Sequence, residues 1–227
     1  MDSNKVYEKT AVQKHKVKGI YEAFFKRLLD IVLSGIAIVC LSWLTLIVCI
    51  LVRINLGSPV IFTQYRPGKN GRIFKLYKFR SMSNAADKDG NLLPAEKRLS
   101  RFEKTLRSSS MDELPELINI FKGDMSIVGP RPLVVSYLQY YNKHDSRRHE
   151  VRPGLTGLSQ VSGRNALTWK DKFQKDVEYV DNITFLGDVR IILLTVKKIF
   201  IREGIEFTEG HQSVMDYFKE NADSQSC

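Results

Sequence analysis

The sequence predicts an α/β protein, mostly helical with a small sheet, that carries an apolar membrane segment near its N-terminus. Three observations predict this. Ile31 to Val52 is a run of 22 residues without a charge. Ile73 to Met82 alternates apolar and basic residues, the period of a strand. Other stretches space their apolar residues as helices do, among them Ala95 to Leu106, Leu133 to Tyr141 and Phe185 to Ile201.

The 227 residues suffice for one domain with an appendage. A formal net charge of +10 implies acidic partners: nucleic acid, anionic lipid or phosphorylated small molecules. The three cysteines make no disulfide framework, because Cys40 and Cys49 lie inside the apolar run and Cys227 is the last residue. They point to a reducing compartment. No Cys/His spacing suggests zinc, and no Walker loop is present. Without a helix-turn-helix or an aromatic RNA-binding signature, no nucleic acid is expected as partner.

Residues 1–23 form a polar, lysine-rich arm. Residues 24–56 form the membrane segment. As a helix, its uncharged core would reach about 33 Å, enough for a hydrocarbon layer of about 30 Å. The run is too long for a secretory signal, and no small-residue cleavage site follows it. Basic residues flank it on both sides, so the excess of Lys and Arg cannot orient a spanning helix. From the residues alone two topologies stand: a spanning helix, or a re-entrant hairpin that dips into one leaflet and returns. The second needs a break near Ser42-Trp43, where the Ser42 hydroxyl can bond backbone groups freed by a bend.

Residues 57–209 form the main domain. Val60 to Gln64 reads as a short strand, followed by turn signals at Arg66-Pro-Gly68 and Asn70-Gly71. In the alternating strand, Ile73, Lys75, Tyr77 and Phe79 share one side, and Phe74, Leu76, Lys78 and Arg80 the other. Asn84 to Pro94 is a polar loop, and Ala95 to Leu106 a basic amphipathic helix. The tyrosines of Leu133 to Tyr141 suit either a core or a membrane interface. Trp169 to Val180 reads as a helix. Phe185 to Ile201 carries Arg190, Lys197 and Lys198, which argue against spanning and for an interface or core position. Residues 210–227 form a polar tail.

The residues that can carry chemistry centre on Asp112-Glu113. Pro115 lacks an N–H, which is harmless up to the third helical position, so a helix with Asp112 as N-cap fits. A capping box from Ser110 to Glu113 would put Pro115 one turn too deep. One reading of the pair is therefore structural, with Asp112 as cap and Glu113 complementing the helix dipole. The other is chemical. Gly129-Pro-Arg-Pro132, Arg152-Pro-Gly154 and Gly163-Arg-Asn165 set arginines on rigid turns, and Arg80 and Arg107 add two more guanidinium groups. Such groups hold phosphate oxygens bidentately. A carboxylate among them can attack phosphorus, and a divalent ion on carboxylate oxygens can neutralise the phosphate. Asp124 is a third carboxylate, read as structural.

In chain order, the motifs are Lys26-Arg-x-x-Asp30, Phe62-x-Gln-x-Arg-x-Gly68, Lys78-Phe-Arg-x-Met82, Arg107-x-x-x-x-Asp-Glu-Leu-Pro115, Gly123-Asp-Met-Ser-x-Val-Gly-Pro-Arg-Pro132, Arg152-Pro-Gly-Leu-Thr-Gly157 and Gly163-Arg-Asn165. In these the chain resembles the bacterial sugar transferases, the small monotopic phosphoglycosyl transferases, from about Phe24 to His211. The resemblance implies transfer of a sugar-1-phosphate from a UDP-sugar to undecaprenyl phosphate, with release of UMP. It implies Asp112 as nucleophile in a ping-pong cycle, Glu113 as its dyad partner and Mg2+ as cofactor, with Asp112 a ligand. Arg80, Arg107, Arg131 and Arg164 are the implied phosphate- and nucleotide-binding residues. An N-acetylated amino sugar such as N,N′-diacetylbacillosamine is the implied cargo. The same chemistry on UDP-glucose or UDP-galactose, and a non-enzymatic lipid-binding module, are the alternatives.

The resemblance also implies a re-entrant membrane helix at the cytosolic face of a bacterial inner membrane, held by anionic lipid, with downstream glycosyltransferases as further partners. Where the family's break carries Ser-Pro, this chain has Ser42-Trp43, so proline supplies no cause for a bend here.

Overall fold

The computed structural model describes residues 15–83, 100–163, 167–201 and 214–224. After a π-helical turn at Tyr21–Phe25, α1 spans Lys26–Cys40 and α2 spans Ser42–Leu56, and the pair is bent by 62°. Among the described residues no single helix is long and apolar enough to cross a membrane. The break falls at Leu41 (φ −97°, ψ 7°), one residue before the predicted Ser42-Trp43. The Ser42 hydroxyl donates to Val39 O at 2.8 Å, and Thr45 Oγ1 donates to Leu41 O at 2.9 Å. The Ser42 hydroxyl therefore bonds a carbonyl at the bend, as the sequence led us to expect, while Thr45 Oγ1 adds a second bond to a carbonyl that already accepts from Thr45 N.

The motif at the start of α1 docks it on the domain. Lys26 Nζ donates to Val128 O and Asp188 Oδ2, and Arg27 donates to Ile120 O and Phe121 O. Buried Asp30 accepts from Ile127 N at 2.9 Å and Ser126 Oγ at 3.1 Å. Three side chains, one helical turn apart or less, thus fix the bent pair to the rest of the fold.

Strands β1 (Ile61–Pro67) and β2 (Ile73–Phe79) form an antiparallel hairpin registered Ile61↔Phe79 to Pro67↔Ile73. Its turn, Lys69–Gly71, holds Asn70 at φ 54°, a left-handed conformation that asparagine tolerates. Phe74 and Leu76 pack with Ile120 and Met125 on one side, while Phe79 joins Val48, Val52 and Leu106 on the other. The hairpin is sandwiched, so both of its apolar sets are in use.

Next, α3 (Arg101–Ser108) begins with a capping box between Ser100 and Glu103. The predicted polar loop and the first residues of the helix expected from Ala95 lie outside the described residues. Helix α4 (Glu116–Lys122) follows, with its fully buried Asn119 bonded to both Tyr77 N and Lys75 O, so that a side-chain amide continues the edge of β2. A short parallel pair joins β3 (Ser126–Val128) to β4 (Gly154–Thr156). Two two-stranded sheets are present among the described residues, in keeping with the small sheet expected.

Leu133 to Tyr141 differs from expectation: Val135–Tyr140 is a 3-10 helix, followed by another at Asp145–His149. Residues three apart eclipse in a 3-10 helix, and Leu138 and Tyr141 both enter one cluster with Phe173 and Phe218. Helices α5 (Leu158–Ser162), α6 (Trp169–Asp181) and α7 (Phe185–Ile201) complete the main domain. The segment read as a polar tail instead carries α8 (Val214–Ser224), which buries Val214, Tyr217 and Phe218 in that cluster. Their i, i+3, i+4 spacing is a helical stripe inside a polar composition. The described end of the arm is also engaged, since Tyr21 OH donates to Asp188 at 2.6 Å.

Candidate active site

The acidic pair sits in a junction between two helices. After α3, Ser110 takes a left-handed conformation (φ 57°, ψ 17°), and Met111–Glu113 forms one 3-10 turn. Pro115 is the N-cap of α4, the place where a missing N–H costs nothing. The helix therefore starts later than the sequence suggested, and Asp112 is not its cap. Proline fits the boundary in both positions, so the sequence alone could not choose between them.

Glu113 Oε1 accepts from Lys78 Nζ and Arg131 Nη2, each at 2.7 Å, and Lys78 Nζ also lies 3.0 Å from Glu116 Oε1. No described residue hydrogen-bonds the Asp112 carboxylate, although the residue is only 7% exposed. The three acids are pushed apart in acidity. Burial, and then the negative charge of Glu113, push the Asp112 carboxyl up to about 6, against the pull of Lys78, Arg131 and Arg107. Burial acts on Glu113 too, but Arg131 and Lys78 outweigh it and hold that carboxyl down at about 2. Glu116, 3% exposed, is raised to about 7 by burial and by Glu113.

Of the predicted arginines, Arg131 touches the dyad and Arg107 acts on Asp112 through its charge. Arg80 is not brought to the acidic pair: it donates to Ser58 O at 3.1 Å and Met82 O at 3.3 Å. Arg164 lies outside the described residues. Lys78 and Glu116 belong to the cluster and were not assigned from sequence. Lys78 had a signal, because it shares a strand face with Phe74 and Leu76, and a cation on a buried face needs a partner.

The turn that presents Arg131 is built by interlocked glycines. Gly129 N donates to Thr156 O at 2.8 Å and Gly154 N to Pro130 O at 3.0 Å. A Cβ on Gly154 would lie 2.1 Å from Gly129 N, and one on Gly157 would lie 2.2 Å from Gly129 O. Hence Gly129-Pro-Arg-Pro132 and Arg152-Pro-Gly-Leu-Thr-Gly157, read in sequence as two phosphate-holding turns, are one packed unit. Arg152 turns away from the dyad and donates to Gly123 O at 2.9 Å.

Arg107, Glu113 and Arg131 line a cleft of roughly 1470 Å³. It runs from Leu41 and Leu44 at the helix break to Trp169 and to Ile192 and Ile199 of α7. One space thus combines a charged centre with long apolar walls.

The model of the family described as bacterial sugar transferase matches residues 21–202. The chain belongs to this family. It is accordingly an enzyme that transfers sugar phosphates, which removes the lipid-binding module as an alternative. This sugar transferase is 49% identical to the "uncharacterized sugar transferase EpsL" of Bacillus subtilis, over 81% of the chain and 91% of that relative. It is 39% identical to a UDP-glucose:undecaprenyl-phosphate glucose-1-phosphate transferase of Klebsiella pneumoniae. It is 36% identical to a UDP-N-acetylgalactosamine-undecaprenyl-phosphate N-acetylgalactosaminephosphotransferase of Aeromonas hydrophila. The last two matches cover 79% and 78% of this chain but 41% and 44% of the relatives, so the chain spans less than half of those longer proteins.

In this sugar transferase, no group of three or more His, Cys, Asp or Glu side chains among the described residues is disposed to hold a metal. A site shared with a substrate is a different matter. Magnesium commonly takes one or two carboxylates and completes its shell with substrate phosphates and water. Both cations on Glu113 sit on Oε1, and Lys78 lies against Glu116 Oε1, whereas no described residue hydrogen-bonds either oxygen of Asp112. The donor set fits a magnesium ion brought in with a diphosphate.

Proposed function

We propose that the protein moves a sugar-1-phosphate from a UDP-sugar to undecaprenyl phosphate by way of a covalent intermediate on Asp112. One observation carries the reading: a buried carboxyl free of hydrogen bonds from the described residues, raised to about 6, stands beside a second carboxylate held ionised by Lys78 and Arg131. At neutral pH Asp112 is ionised, yet poorly solvated and not hydrogen-bonded by any described residue, which favours attack. An Asp112 oxygen attacks the β-phosphorus, the bond from that phosphorus to the oxygen bridging to the α-phosphate breaks, and UMP leaves with that oxygen. A phosphate oxygen of undecaprenyl phosphate then attacks the same phosphorus and the bond to Asp112 breaks.

Arg131 and Arg107 offset negative charge on the diphosphate in both steps. Glu113 holds Lys78 and Arg131 in place. Asp112 would hold a magnesium ion brought in with the substrate, and that ion would supply charge neutralisation at the phosphate oxygens. Several relatives carry glucose, galactose or N-acetylgalactosamine in their names. For this chain the proposed cargo is an N-acetylated amino sugar such as N,N′-diacetylbacillosamine, with UDP-glucose and UDP-galactose as rival donors.

The bent α1–α2 pair is proposed to be re-entrant, placing the cleft at the cytosolic face of a bacterial inner membrane. Ile36, Val39, Trp43, Leu46 and Ile54 are exposed on it, and Phe185, Leu186 and Leu193 are exposed on α7, more apolar surface than a water-facing monomer commonly carries. Cysteines introduced at Lys16 and Asn70, in a background without the native ones, should be labelled from the same side. Labelling from opposite sides would mean a spanning pair. A lipid-linked product would pass to downstream glycosyltransferases.

The deciding experiment incubates the protein with a panel of UDP-sugars and measures UMP. At least one donor should release UMP, and Asp112→Asn should not. Normal turnover by that variant would remove Asp112 as nucleophile.

A further inference from the structure

Arg148 is a buried arginine, and the chemistry at Asp112 makes no use of it. It lies in the 3-10 segment Asp145–His149, and four of its five N–H donors are engaged by described residues. Nε and Nη2 donate to Asp176 Oδ2 at 3.0 and 2.7 Å, and Nη1 donates to the Tyr141 hydroxyl at 3.0 Å. Nη2 also donates to the backbone carbonyl of Arg131, at 2.7 Å. Behind it, Ser159 Oγ donates to Asp176 Oδ1 at 2.7 Å, and the guanidinium packs 5.3 Å from the Phe173 ring centroid.

This arrangement bears on Arg131 because of how the rest of its turn is held. Before Arg131, the turn is fixed by backbone bonds, Gly129 N to Thr156 O and Gly154 N to Pro130 O. Proline on either side limits φ and removes two N–H groups that could otherwise anchor it. The Arg131 side chain reaches out from there to Glu113. Its carbonyl is the point where a side chain from another element takes hold. Two prolines and a clamp on the carbonyl leave the Arg131 backbone little freedom, which fixes where its side chain leaves the turn, and Glu113 then holds the guanidinium. A buried charge is costly unless it is paired and hydrogen-bonded, and this one places one of its four bonds on Arg131.

We propose that Arg148, backed by Asp176, is a positioning residue that aims Arg131 at the diphosphate of the donor. The proposal rests on the sugar-phosphate transfer reading above and deepens it. Arg148 and Asp176 line the same cleft as Arg131, but the Arg148 bonds go to Asp176, Tyr141 and the Arg131 carbonyl, so Arg148 acts through Arg131. Its effect should therefore vanish when the Arg131 side chain is absent, whereas a general contribution to folding should persist.

The test is a double-mutant cycle read as kcat/KM for UMP release, using the donor that turns over in the panel. Arg148→Met with Asp176→Leu removes both charges together, so no unpaired buried ion is left. In the wild-type background this pair should lower kcat/KM by about ten- to a hundredfold, the scale of a misplaced binding group. In an Arg131→Ala background the further loss should be under about twofold. Arg148→Lys, which keeps the charge but not the fork, should fall between wild type and the pair variant. If the pair variant does not melt cooperatively, the same cycle is run with Arg148→Lys and judged by the same criterion. Equal losses in both backgrounds, or wild-type kcat/KM in a folded variant, would overturn the proposal. Absence of UMP with the unmodified chain and every donor would instead remove the transfer reading on which it stands.

Discussion

Replacing Lys78 by methionine should move the acid limb of UMP release toward higher pH. In the proposed first step the active form of Asp112 is ionised. The rate should therefore rise with pH around about 6, where burial and Glu113 have put this carboxyl. Lys78 is one of three cations that oppose that rise. An opposite charge a few ångströms away shifts a carboxyl by about one to three pK units, and the two arginines remain, so a shift of about one unit is expected. At pH 6 the ionised share of Asp112 would then fall from about one half to about one in eleven, and at pH 7 from about nine-tenths to about one half. The loss of rate is thus strong in mild acid and small at pH 8.

Glu113→Gln should act in the opposite sense. It removes a neighbouring negative charge, so the limb should move below pH 6 even as the plateau falls. Single-turnover UMP release, measured from pH 4.5 to 8.5 without acceptor, reads both midpoints apart from the plateau. A wild-type limb near pH 4, or one that Lys78→Met leaves in place, would refute the electrostatic account of the dyad.

Three further outcomes follow from the packing. Glu116 has a folded-state carboxyl near 7, above its unfolded value, so the proton it retains costs the folded state progressively more as pH rises between the two. Glu116→Gln should leave thermal stability unchanged at pH 4 and raise it at pH 8, on the order of 1–3 kcal/mol; equal effects at both pH values would contradict this. Gly154→Ala puts a Cβ 2.1 Å from Gly129 N and 2.4 Å from Thr156 O, so it should destabilise by more than about 3 kcal/mol and abolish UMP release. A variant with wild-type melting would mean that the two glycine turns are not packed as described. Asp30→Ala strips the acceptor from Ile127 N and Ser126 Oγ in a buried site, at a cost of about 1–3 kcal/mol. Protease should cut this variant faster in residues 57–60, between the bent pair and the domain, and an unchanged cutting rate would deny the docking role.

Much of the framework was legible in the chain. The uncharged run, the hydroxyl at Ser42, the alternation in β2 and the apolar spacing of α7 each report a local pattern, and local patterns survive folding. What was hidden depends on which segments meet. Nothing in the spacing shows that Gly129 will lie against Gly154 and Gly157, so two motifs looked like two ligand loops when they are one scaffold. The helix start was misplaced because proline is as comfortable at the N-cap as just inside the helix. Arg80 looked like the binding cation of its motif, but it lies just past the end of β2, with its N–H on Val60 O and its guanidinium on nearby carbonyls. Lys78, still within the strand, reaches the acids. The helix at Val214 was missed because composition outweighed a short stripe of three apolar residues.

The central claim is that Asp112 itself carries the sugar phosphate between the two substrates. The direct measurement is intact and peptide mass after quenching the protein in acid with a productive UDP-sugar and no acceptor. The account predicts one equivalent of UMP per chain in a burst, with the mass of one phosphosugar on the peptide that contains Asp112, lost on addition of undecaprenyl phosphate. UMP that appears only when acceptor is present, or a phosphosugar mass on a peptide without Asp112, would contradict it.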